Sequence, residues 1–193
     1  MLNSNQIALL SFALLCLIFL GCSPEKKLER AIEKELATGV KKDSLFLGVE
    51  FGITMEEFFE VCRELNKQGI VREGSKNMSV EYIFNDSLDQ PIAFNFYADR
   101  EADGPIHKYY TSFYYYAFAL NRHLYADRLL EMLPSILMDW YGGNEPFTLV
   151  KDGKKYLYKI DGNRVIELYV YDMGTVVATY FDSSKMNFQE LML

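Results

Sequence analysis

The chain predicts an α+β fold: an antiparallel sheet with helices packed on one face, built from two degenerate helix-then-strands repeats. Three observations predict it. A helix with a complete N-terminal capping signal opens the domain, with Thr54 at the cap and Glu57 three residues on. Runs of alternating apolar residues follow it, then a second helical stretch and a further set of such runs. Asp-Gly pairs (Asp152-Gly153, Asp161-Gly162) separate the later runs, and Asp-Gly between alternating segments is a hairpin signal.

Taken in order, Glu25 to Thr38 places Leu28, Ala31, Ile32 and Leu36 at helical spacing, with Gly39 as the stop. This charged helix has a narrow apolar stripe, so docking on the domain and service as a spacer remain open. Leu45 to Phe51 reads as a short strand, and Gly52-Ile53-Thr54 turns it into a helix whose stripe is Phe58, Cys62 and Leu65, ended by Gly69. Ser79 to Phe84, Ile92 to Tyr97 and Lys108 to Phe118 read as three antiparallel strands. Arg122 to Tyr141 is helical in period but holds Pro134, which must kink the helix or begin a new one. Phe147 to Val150, Lys155 to Ile160, Arg164 to Tyr171 and Thr175 to Phe181 complete a meander. The domain thus spans 45–193, with one repeat over about 45–118 and the other over about 122–181.

Gly52-Ile53-Thr54-Met55-Glu56-Glu57-Phe58 resembles the signature that opens small outer-membrane lipoproteins of the SmpA/OmlA type. The double succession of helix and strands is similar to the tandem repeat of β-lactamase-inhibitor-like proteins. Trp140-Tyr141-Gly142-Gly143-Asn144-Glu145-Pro146 resembles the Tyr-Gly-x-Pro helix ending of such repeats. The whole chain looks like lipoproteins of Bacteroidota-type bacteria, a resemblance that implies an address and a fold but no activity.

The N-terminus agrees with that address. Ile7 to Leu20 is an almost unbroken apolar run of the length of a signal-peptide h-region, shorter than the roughly 20 residues a membrane helix needs. It ends at Leu20-Gly21-Cys22, which resembles the lipobox of bacterial lipoproteins. The resemblance implies a signal peptide over 1–21, lipidation at Cys22, and an anchor and tether helix over 22–44. Ser23 after Cys22 implies sorting to the outer membrane, facing the periplasm. Several acyl chains together hold a protein stably at a bilayer, where one binds only reversibly.

Composition narrows the function. The formal net charge of −7 lies wholly after the signal, which argues against nucleic acid or anionic lipid heads as general partners. Of three cysteines, Cys16 leaves with the signal and Cys22 carries lipid, so Cys62 has no partner for a disulfide and reads as a small core residue. The two histidines, His107 and His123, stand in no metal-favouring spacing, and a trio with Ser112 carries no motif. No cofactor and no enzymatic activity are expected. Asp99, Glu101 and Asp103 before Gly104 match the opening of a calcium loop, but the twelfth position is Tyr110 and Arg100 adds a positive charge. A polar loop is the plainer reading.

What remains is aromatic. Side chains alternate along a strand, so Tyr109, Phe113 and Tyr115 share one face of the third strand while Tyr110, Tyr114, Tyr116 and Phe118 share the other. Only one face can lie under helices. The expectation is a lipid-anchored, non-catalytic scaffold or adaptor that holds an envelope protein through Tyr110, Tyr114 and Tyr116, with a glycan or small ligand on the same tyrosines as the alternative.

Overall fold

The computed structural model describes residues 23–74, 79–84, 90–99 and 104–186. Three α-helices stand in it: α1 (Pro24–Leu36), α2 (Met55–Lys67) and α3 (Ala126–Tyr141). A small hairpin joins β1 (Ser44–Phe46) to β2 (Val49–Glu50). The main sheet contains β3 (Val71–Glu73), β4 (Val80–Phe84), β5 (Ile92–Ala98), β6 (Lys108–Tyr115), β7 (Phe147–Lys151), β8 (Lys154–Asp161), β9 (Arg164–Val170) and β10 (Thr175–Asp182). All eight are antiparallel, in the order β3-β4-β5-β6-β10-β9-β8-β7.

That order is two four-strand meanders joined through their last strands, with β6 against β10 and Tyr109 opposite Tyr180. Each meander follows its own helix, so the α+β class and the succession of elements stand as the sequence predicts. The first repeat holds one strand more than expected: β3 is only three residues long and buries Val71 alone, too little for a periodic signal. The predicted first strand is instead the β1–β2 hairpin, turning through Leu47 and Gly48 at positive φ. The third strand ends at Tyr115, three residues early, so Phe118 lies beyond it and packs against the main core instead of sharing a face with Tyr110 and Tyr114.

The capping box forms as predicted: Glu57 N–H donates to Thr54 Oγ1 at 3.2 Å, and Thr54 N–H donates to Glu57 Oε2 at 2.8 Å. Pro134 neither breaks nor restarts α3, which runs through it after a short 3-10 turn at Arg122–Leu124. The missing N–H costs one helical hydrogen bond, but Leu129, Leu133 and Leu137 bury completely against the sheet and hold the helix in place.

Alternation assigns the faces. Phe94, Phe113, Val176, Leu168 and Leu157 fall in one set of register positions, and they form the main core with α2, α3 and the β1–β2 hairpin. Phe46 at the hairpin tip packs among Phe94, Phe96 and Tyr180, with ring centroids 4.9, 4.8 and 5.3 Å away. Val165, Ile160, Tyr158 and Phe181 take the alternate positions, so they point to the opposite face, where Leu28 and Ile32 of α1 cover them. The two repeat helices therefore share one face, as predicted, and the N-terminal helix docks on the other. Burying Leu28 and Ile32 contributes roughly 1.5–3 kcal/mol each by transfer, and Gly162 N–H donates to Glu35 Oε2 at 3.0 Å. The open choice between docked helix and spacer resolves as docking.

A buried ionic cluster fixes the second repeat. Lys159, fully buried, donates through Nζ to the carbonyls of Gly142 (2.5 Å) and Asn144 (2.7 Å), which lie at and just beyond the end of α3, and pairs with Asp161 at 3.0 Å. Asp161 also pairs with Arg164 at 3.1 Å and accepts from Asn144 N–H at 2.8 Å. The guanidinium of Arg164 lies 4.0 Å from the ring centre of Tyr141. Gly143 has φ +74°, and a Cβ there would meet Asp161 Oδ1 at 2.2 Å. The Gly142-Gly143 stop is thus dictated by the carboxylate behind it as well as by the helix.

Candidate functional site: the tyrosine face of the sheet

Helix α1 covers the β7–β8 side of its face, and among the described residues no helix covers the β4–β6 side. Along β6 the burial alternates as the sequence predicts: Tyr109, Phe113 and Tyr115 are buried, Tyr110 and Tyr114 are half-buried, and Tyr116 just past the strand is 49% exposed. In-register pairing brings further residues onto the face. Tyr97, Tyr110, Thr179, Glu167 and Tyr158 form one cross-strand row, and Glu81, Asn95, Ser112, Val177 and Tyr169 form the next.

Two tyrosine groups result. In the first, Arg72 Nε donates to Glu81 Oε1 at 2.6 Å, its guanidinium also donates to Tyr116 Oη, and it lies 5.6 Å from the Tyr116 ring centre. Tyr114 Oη donates to Glu81 Oε2 at 2.5 Å and accepts from Asn95 Nδ2 at 3.1 Å. Burial disfavours the Glu81 charge, but the hydrogen bonds from Tyr114, Tyr116 and Arg72 outweigh it and hold the carboxyl below its ordinary range. Burial and the same bond push the Tyr114 hydroxyl up to about 12, so it stays a neutral donor. In the second group, Tyr97 and Tyr110 stack at 5.3 Å, with Lys108 Nζ 5.0 Å from the Tyr110 ring centre and Tyr110 Oη 3.5 Å from Asp99 Oδ2. Beyond them, burial raises the Glu167 carboxyl above its ordinary range, opposed by the hydrogen bond from Tyr158.

The predicted trio therefore shares a face but divides by role. Tyr114 is braced and serves as a positioning group, Tyr110 is half of a stacked pair, and Tyr116 presents its ring to solvent. The sequence reading missed Tyr97, 42% exposed, and missed Tyr156 and Tyr169, which face each other at 5.4 Å. The same alternation applied to β5, β8 and β9, with the register, would have found them.

The remaining candidates separate. Cys22 lies outside the described residues, as do Glu101 and Asp103 of the calcium-like loop. Asp99 engages Tyr110, and among the described residues no group of three His, Cys, Asp or Glu could hold a metal ion. Ser112 lies five residues along β6 from His107, about 17 Å at strand rise, while His107 Nδ1 faces Asp182 Oδ2 at 3.6 Å. Cys62 is buried under α2, and burial pushes its thiol up to about 12, away from thiolate chemistry. Among the described residues no helix is long and apolar enough to cross a membrane. Comparison with models of protein families, with curated proteins and with solved structures finds no match to this chain.

Proposed function

We infer that this chain is a lipid-anchored envelope protein acting as a non-catalytic scaffold, which docks a protein partner on the tyrosine face of its sheet. The observation that carries the reading is the pair of tyrosine groups on one face of the sheet: the stacked Tyr97 and Tyr110, and Tyr116 braced by Arg72, Glu81 and Tyr114. Tyrosine gives large contact area at low entropic cost with a polar tip, which suits protein contact. Lipid on Cys22 and outer-membrane residence follow from the resemblance of Leu20-Gly21-Cys22-Ser23. Because α1 starts at once after Cys22 and is docked, such an anchor would set the β7–β8 end of the sheet at the bilayer and leave the β4–β6 end away from it.

The test is crosslinking and mass spectrometry on the full chain in its envelope, with Tyr97→Ala and Tyr116→Ala as variants. One protein recovered in near-equal amount with the parent and lost with both variants supports the adaptor. If instead both variants keep every recovered partner, the tyrosine face is not the docking surface. A glycan or small ligand on the same stacked Tyr97–Tyr110 pair is the second reading, and it would show as saturable thermal stabilisation by a sugar, also lost with Tyr97→Ala.

A further inference from the structure

We propose that the groove between α2 and strands β3–β5, on the opposite side of the sheet from the tyrosine face, binds a single-chain anionic amphiphile such as a fatty acid. The groove holds about 680 Å³, within the roughly 300–1,000 Å³ range of small-molecule sites. It follows one stripe of α2 from Met55 to Lys67, about 18 Å at helical rise.

Its polarity changes along that length. The Met55 end is walled by Phe58, Phe59 and Phe96, and Phe59 stands 50% exposed at the mouth. At the other end stand Arg63 and Lys67, with Arg72 committed to Glu81 and Tyr116 beside them, against Glu73 as the acid among the described residues of the lining. Among the described residues Arg63 and Lys67 are held by exposed i,i+3 pairs to Glu60 and Glu64, and such pairs contribute about 1 kcal/mol or less. Either can turn to a ligand head group at small cost. An apolar wall ending in cations, on a chain of net charge −7, matches a long apolar tail ending in an anion. It does not match a neutral lipid or a cationic one.

The fold does not impose this groove. In the second repeat the corresponding cleft between α3 and β8–β9 holds about 220 Å³ and is lined mostly by charged residues, Asp127, Glu131, Lys154 and Lys155 among them. There α3 buries five residues against the sheet, whereas α2 buries only Phe58 and Cys62. The same architecture that closes one repeat leaves the other open and apolar. The groove meets the tyrosine face at the sheet edge, where Arg72 and Tyr97 line it.

The experiment uses the full chain in phospholipid nanodiscs with a diazirine-bearing fatty acid as photoreactive probe. The expected result is crosslinking to residues 55–67 and to β5, competed by laurate about tenfold better than by dodecyltrimethylammonium. Phe59→Glu, at an exposed position that leaves the fold intact, should cut labelling of that peptide about tenfold. The double variant Arg63→Gln/Lys67→Gln should remove the preference for laurate over the cationic chain while leaving apolar labelling in place. Labelling that laurate does not compete, equal competition by both head groups, or indifference to Phe59→Glu would each overturn the proposal.

Discussion

The two repeats share a topology and differ in how much of themselves they cover. In the second, α3 fills the helix face with Leu129, Leu130, Leu133 and Leu137, and α1 covers the other face over Tyr158, Ile160 and Val165. In the first, α2 leaves a groove on one face, and tyrosines stand uncovered on the other. Their polar clusters differ in the same sense: Lys159, Asp161 and Arg164 are all buried, whereas Arg72 beside Glu81 is largely exposed. The second repeat is built as a foundation and the first as a presented surface. Substitutions in the second should therefore cost stability, and those in the first should cost binding.

The largest expected effect is at Asp161. Asp161→Asn leaves Lys159 and Arg164 buried without their counter-charge and should cost about 3–5 kcal/mol in denaturant unfolding. Glu81→Gln should cost less, about 1.5–3 kcal/mol, because Glu81 is buried but its cationic partner Arg72 is largely exposed and can turn to water. Equal losses would break the comparison. Burial works against the Asp161 charge, but bonds from Asn144, Lys159 and Arg164 hold its carboxyl below the ordinary range. Its contribution is present above the unfolded carboxylate pKa and is lost as pH falls through the lowered folded value, so the parent should lose stability in acid more steeply than Asp161→Asn.

Next in size, Leu133→Ala should cost about 2–5 kcal/mol as a core cavity, whereas Phe59→Ala at the groove mouth should stay within about 0.5 kcal/mol. Thermal or chemical unfolding of the two variants decides it.

Much of this was legible in the sequence. Capping at Thr54, the Asp152-Gly153 hairpin and the alternation along β6 are local signals that read out as expected because each rests on a few adjacent residues, while the next hairpin turns one residue later than its Asp-Gly pair, through Gly162-Asn163. The β3 strand was not legible, because three residues show no period. The docking of α1 was not legible either, because its stripe is narrow and its partners, Tyr158 and Phe181, lie far along the chain. Tyr97 joins Tyr110 only through the register of β5 with β6, and the Lys159 cluster depends on Gly142 and Asn144 arriving beside β8. Long-range placement, which alternation alone does not fix, separates the legible part from the rest.

Smaller effects sharpen the picture. Cys62, with its thiol pushed up to about 12, should resist iodoacetamide in the folded protein at neutral pH and react at once in denaturant. Glu167 is held above the ordinary carboxylate range by burial. Its contribution is most favourable below the unfolded pKa and is lost as pH rises through the raised folded value. Glu167→Gln should therefore melt slightly higher than the parent near neutral pH, with the gap closing in acid. A gap that widened in acid would reverse the assignment.

The most direct test of the central claim, that the first repeat presents its tyrosine face to a protein partner, is site-specific photocrosslinking in living cells. A photoreactive amino acid is placed in turn at Tyr97, Tyr116 and, in the second repeat, Val150, which is also exposed. A crosslink to one and the same envelope protein is expected from Tyr97 and Tyr116, and none from Val150. Crosslinks to that protein from Val150 alone, or equally from all three positions, would contradict the claim.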